Sequence, residues 1–113
     1  MNKRTIGKER EDQACAFLEE QGMVILERNF FSRQGEIDVI ARDGSYVVFV
    51  EVKYRKQGSA GHPEEAVNYR KIERIRRTAM FYLVRHGLPE NTPVRFDVVA
   101  IEGEEIRHYR NAF

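Results

Sequence analysis

Three residues of this sequence have the types and spacing to do chemistry together: Asp38, and the pair Glu51 and Lys53 within Val48-Phe49-Val50-Glu51-Val52-Lys53. A hard divalent ion such as Mg²⁺ or Mn²⁺ takes oxygen ligands and keeps water or phosphate in its remaining positions. Asp38 and Glu51 would supply carboxylate oxygens to such an ion, together with the carbonyl of Val52. Lys53 would then orient an attacking water or steady charge building on a phosphoryl oxygen. The plainer alternative is that Asp38 ends a strand and Glu51–Lys53 is a solvated pair on an exposed sheet face. Convergence of all three is what favours the site.

That convergence depends on a hairpin. Two runs rich in Val, Ile, Phe and Tyr flank Asp43-Gly44, a dipeptide that favours a tight turn between strands. Residues two apart on a strand share a face, so Glu51 and Lys53 point one way and Val52 the other. A loop of Asp43-Gly44 pairs Asp38 with Phe49 and leaves Glu51 as its diagonal neighbour. A loop of Gly44-Ser45 instead sets Asp38 opposite Glu51. Either register puts Asp38, Glu51 and Lys53 on one face, the carboxylates within about 5–8 Å at the Cβ level.

Asp, a hairpin and then Glu-x-Lys resembles the PD-(D/E)xK nuclease signature. Gly-Glu-Ile-Asp at 35–38, Val-Phe-Val-Glu-Val-Lys at 48–53, Arg-Phe-Asp-Val-Val at 95–99 and the terminal Asn111-Ala112-Phe113 extend the likeness over nearly the whole chain. In these motifs the chain resembles the YraN family, small bacterial proteins similar to archaeal Holliday-junction resolvases. Ile37 stands where the signature has proline. The resemblance implies a restriction-endonuclease-like core and a metal-dependent endonuclease acting on DNA, branched or otherwise structured. It also maps a first-helix metal-site acid onto Glu11. By analogy with resolvases, a two-fold homodimer is the expected assembly. The competing expectation is a catalytically silent DNA-binding or adaptor module on the same fold.

The chain of 113 residues, 42% hydrophobic and 33% charged, has the composition of one soluble domain, 1–113. It contains no apolar run of membrane-spanning length and no signal-peptide pattern at Met1-Asn2-Lys3-Arg4. The lone Cys15 can form no internal disulfide, which suits a cytoplasmic protein, and it reads as a packing residue. His62, His86 and His108 lack the spacing of a zinc site. Net charge is only +1, but five cations face one acid between Arg70 and Arg77.

Gly7 to Gln21 reads as an amphipathic helix with an Ala14, Phe17, Leu18 stripe, and Met23 to Phe31 as a strand near a sheet edge. Gln57 to Gly61 breaks all periodicity and reads as a loop beside the site. A second helix follows, starting at Pro63-Glu64-Glu65 or capped by Asn68, with a buried stripe of Ile72, Ile75, Ala79 and Tyr82/Leu83. Arg70, Lys71, Arg74 and Arg77 are placed off that stripe, as a solvated face or as a surface that tracks phosphates, near Arg55 and Lys56. Val94 to Ile101 and Ile106 to Tyr109 complete the strands. The helix between the Tyr46–Tyr54 strand and the Val94–Ile101 strand makes a parallel crossover. Asp97 is either support for the site or a buried partner of an arginine. The order α-β-β-β-α-β-β gives an α/β domain, a mixed central sheet of about five strands flanked by helices.

Overall fold

The computed structural model describes residues 3–55 and 68–113, with side chains from residue 7 onward. Helix α1 (Lys3–Glu20) precedes strands β1 (Val24–Ser32), β2 (Gly35–Asp43) and β3 (Tyr46–Arg55). Helix α2 (Tyr69–Arg85), β4 (Val94–Glu102) and β5 (Glu105–Tyr109) follow. The strands lie side by side in chain order, antiparallel throughout except for the parallel β3–β4 pair that α2 bridges. This is the α/β order and the mixed five-stranded sheet expected from the sequence.

Both faces of the sheet are covered, which is why β3 carries an unbroken apolar run from Val47 to Val50 rather than an alternating one. One face packs Val39, Ala41, Val48, Val50, Val99 and Ile101 against Ala14, Cys15 and Leu18 of α1. Phe17 packs at the margin of this cluster, and burial pushes the Cys15 thiol up, as suits a packing residue. The other face packs Phe30, Ile37, Ile40, Val47 and Phe49 against Ile75, Ala79 and Tyr82 of α2.

Helix α2 begins at Asn68, whose side chain accepts the N–H of Lys71 at 2.9 Å. It ends at Arg85, followed by Gly87 at φ 63°. Pro63-Glu64-Glu65, the Gln57–Gly61 loop and Lys56 lie outside the described residues. The β2–β3 turn is the Gly44-Ser45 form: Asp43 pairs with Tyr46, and Gly44 takes φ 61° at the first turn position.

Asp97 proves to be an arginine's partner. It shares the α1-side face of Val99, two residues on, and is fully buried. Its carboxylate accepts from Arg95 Nε at 2.9 Å and from the Asn111 N–H at 3.0 Å, and His108 Nε2 lies 2.7 Å away. Arg95 also reaches Asp43 at 2.9 Å, so one buried network joins the β2–β3 turn, β4, β5 and the chain's last residues. Those donors hold the Asp97 carboxyl below its usual range although burial opposes them. Among the described residues no helix is long and apolar enough to cross a membrane.

Candidate functional site

Glu51 and Lys53 share the α2-side face of β3, continuing the row of Phe49, while Val52 packs toward α1. Asp38 joins them differently from a regular strand residue. Pairing of β2 with β3 stops at Val39↔Val50, and pairing with β1 passes from Arg28↔Val39 to Phe30↔Ile37 without Asp38. Ile37 and Ile40, three apart, both belong to the α2-side cluster, which strict alternation would forbid. Alternation therefore breaks around Asp38. Its Oδ2 accepts the backbone N–H of Val52 at 2.8 Å, so the carboxylate is seated between β2 and β3. Opposite it on β1 by register stands Asn29 in the left-handed region at φ 52°, a local irregularity of the kind that re-aims side chains beside sites.

Glu51 is 5% exposed. Its Oε1 lies 2.6 Å from Lys71 Nζ on α2 and 3.2 Å from Lys53 Nζ. The expected position of Lys71 off the buried stripe is therefore corrected: it is half-buried, at the sheet-facing end of a row formed with Ile75, Thr78 and Tyr82. Its 4-, 7- and 11-residue spacing to those three was the available signal. Gly35 takes φ 155°, which residues with side chains rarely adopt, and lies under α2, where a Cβ would be in ordinary contact with Arg74 Cβ and Thr78 Oγ1 at 3.6 Å. A cavity of about 210 Å³ between the helix and the strands is lined by Gly35, Glu36, Asp38, Glu51, Lys71, Arg74 and Ile75.

The electrostatics follow from this crowding. Asp38 is pushed up to about 7, first by burial and then by Glu51, against the Val52 hydrogen bond. Glu36 is raised for similar reasons, with burial foremost. Lys53 is lowered by burial and by Lys71 beside it. Burial also acts to lower Lys71, but the bond to Glu51 prevails and its value is raised.

Glu11 stands apart from the three. It accepts from Asn29 Nδ2 at 2.8 Å and from Arg28 at 3.5 Å, and it reaches Asp38 only as a nearby negative charge. Among the described residues no three His, Cys, Asp or Glu side chains form a group that could hold one ion. A pair of carboxylates is nonetheless a sufficient protein contribution for Mg²⁺, which is commonly held by one or two acids plus water and phosphate. The mutual repulsion felt by Asp38 is relieved when a cation lies between them, so the donor set fits the ion.

Of the other cations, Arg74 is exposed at the cavity and Arg70 is exposed near the start of α2. Arg77 is exposed and 3.8 Å from Glu73. Arg55 is half-buried, its carbonyl accepting from Gly103 at 3.2 Å. Sequence reasoning gives no role to Asn29, which lies in no motif, or to Glu36, which lies within Gly-Glu-Ile-Asp at 35–38 without being singled out.

A model of the uncharacterised protein family UPF0102 matches residues 10–101. A UPF0102 protein of Lachnoclostridium phytofermentans is 52% identical over all of this chain and 96% of its own length. Relatives in Persephonella marina and Aliivibrio salmonicida are each 45% identical, covering 95% and 98% of this chain and 91% and 93% of their own lengths. The chain belongs to family UPF0102, the YraN family that its motifs resemble.

Proposed function

We propose that this protein is a metal-dependent endonuclease that hydrolyses phosphodiester bonds of DNA, with branched or structured DNA as the substrate class. The observation that carries the reading is the seating of Asp38 against the Val52 N–H, beside the buried carboxylate of Glu51 and the ammonium of Lys53. Asp38 and Glu51, with the carbonyl of Val52, would hold Mg²⁺ or Mn²⁺, which when bound would supply an acidified water and offset charge on the phosphate. Lys53 donates to the attacking water or to a phosphoryl oxygen from a partly dehydrated position, where a fixed donor is most effective. Glu11, the metal-site acid implied by the resemblance, holds Asn29 and adds negative potential at Asp38. Arg70, Arg74 and Arg77 present cations along α2 for the backbone phosphates, and Arg55 and Lys56 are the further cations that the sequence offers for them.

A second reading has its own support. The 2.6 Å contact of Lys71 with Glu51 supplies that acid with a protein cation, as in a DNA-binding or adaptor module without turnover. Cleavage assays on linear, nicked, flapped and four-way DNA with Mg²⁺ and Mn²⁺ separate the two. Ion-dependent cleavage that Glu51→Gln abolishes supports the enzyme. DNA binding without cleavage of any of the four supports the module. Centrifugation with and without a four-way junction tests whether the active species is the proposed homodimer.

A further inference from the structure

Lys71 is the shortest polar contact of Glu51 and comes from a different element than the acids. Its Nζ lies 2.6 Å from Oε1, closer than Lys53 at 3.2 Å, and its backbone N–H is fixed by the Asn68 cap. The Glu51 side chain is 6% exposed and that of Lys71 36%, so the anion is fixed in the sheet while the cation has an open side. A divalent ion that takes Oε1 of Glu51 meets this ammonium on the same oxygen. Like charges at such separation repel strongly in a partly buried site. We propose that Lys71 is a displaceable counter-cation: it holds Glu51 until an ion binds, and ion entry drives it off the carboxylate into the adjoining cavity, where it takes a phosphate oxygen. The inference rests on reading Asp38 and Glu51 as ion ligands, and it adds a positioning residue to that site.

The test is calorimetric titration of Mn²⁺ into wild type, Lys71→Met, Arg74→Met and Glu51→Gln, at low salt and at about 1 M, where the Debye length is roughly 3 Å. Losing a charge-assisted contact that the ion must break should tighten Mn²⁺ binding about tenfold in Lys71→Met. That gain should persist at high salt, because it is occupancy of an oxygen and not a diffuse field. Arg74 lines the same cavity, and its removal should produce a smaller gain that salt erases. In chelator, Lys71→Met should melt below wild type, and Mn²⁺ should raise its midpoint further than it raises the wild type's. Equal affinity in Lys71→Met and wild type, or a gain that disappears with salt, overturns the proposal while leaving the ligands intact. Failure of wild type and Lys71→Met alike to bind Mn²⁺ removes the ligand reading as well. Should Lys71→Met not fold, Lys71→Gln supplies a donor without the charge on a side chain one atom shorter, and the same comparison applies.

Discussion

Asp38 Oδ2 and the backbone N–H of Val52, 2.8 Å apart, tie a side chain of β2 to the main chain of β3 where the ladder between the two strands has ended. The carboxylate takes the place of a main-chain acceptor. This satisfies a donor that would otherwise be costly to bury, and it aims the second Asp38 oxygen away from the Val52 peptide. A site of this kind stores unfavourable electrostatics, because both acids are buried together.

That cost gives a pH signature. The Asp38 carboxyl is raised from 3.8 to about 7, so the folded state binds a proton more tightly than the unfolded chain does. Its contribution to stability is therefore largest below the unfolded value and is lost as pH rises through about 7. Asp38→Asn can keep an acceptor for the Val52 N–H and removes the charge. It should stabilise the metal-free protein at pH 8 by about 1–3 kcal/mol, the gain shrinking toward pH 4. Thermal unfolding from pH 4 to 8 in chelator measures this. A pH-independent difference between variant and wild type would contradict the assignment.

Asp97 should behave in the opposite sense. Its carboxyl is depressed by His108, Arg95 and the Asn111 N–H in spite of burial, so its stabilisation is present above the unfolded value and lost as pH falls through the folded one. Asp97→Ala leaves Arg95 with one remaining carboxylate and several buried donors unpaired. A loss of about 3–5 kcal/mol is expected. Chemical denaturation at pH 7 checks the size, and acid titration should show the variant's stability falling less steeply below pH ~4 than the wild type's.

Most of the fold was legible because β-prone runs, turn dipeptides and one helix between two strands leave few topologies open. The turn form was not, since Asp43-Gly44 and Gly44-Ser45 both satisfy local turn chemistry and only pairing decides. The common face of Asp38, Glu51 and Lys53 was legible from strand alternation. The seating of the Asp38 carboxylate on the Val52 N–H was not, because no periodicity encodes a side chain that replaces a main-chain acceptor where a ladder ends. Lys71 was hidden for a related reason. Its charge argued for solvent, whereas its spacing to Ile75, Thr78 and Tyr82 argued for the sheet, and a buried partner carboxylate settled the contest.

Phosphate contacts along α2 should appear in the salt dependence of DNA binding. Arg74 borders the cavity and Arg77 lies one helical turn beyond, held only loosely by Glu73 at 3.8 Å. Each phosphate contact removed lowers the log–log salt slope by roughly 0.9 on duplex DNA. Arg74→Ala with Arg77→Ala should weaken binding to all DNA forms and flatten the slope by about 2. Titrations at several salt concentrations read this, and an unchanged slope moves the DNA path away from this helix.

Substitutions at Asp38, Glu51 and Lys53 should fail in different ways. Asp38→Asn and Glu51→Gln keep side-chain shape but remove the anionic oxygens a hard ion needs, so Mn²⁺ affinity and cleavage should fall together. Glu51→Gln also leaves Lys53 and Lys71 facing each other without the carboxylate between them, so it should be the less stable of the two variants. Lys53→Ala leaves both carboxylates able to take the ion. It removes one positive charge within 3.2 Å of Glu51, so Mn²⁺ affinity should hold or rise slightly. The loss should appear in rate, about 10²–10³-fold, equivalent to about 2–4 kcal/mol of transition-state stabilisation. Single-turnover cleavage at saturating Mn²⁺ beside calorimetric titration separates the two classes. Mn²⁺ affinity unchanged in Asp38→Asn would remove it from the ligands, and full-rate cleavage by Lys53→Ala would leave the water and the phosphate to be handled by the ion and Lys71.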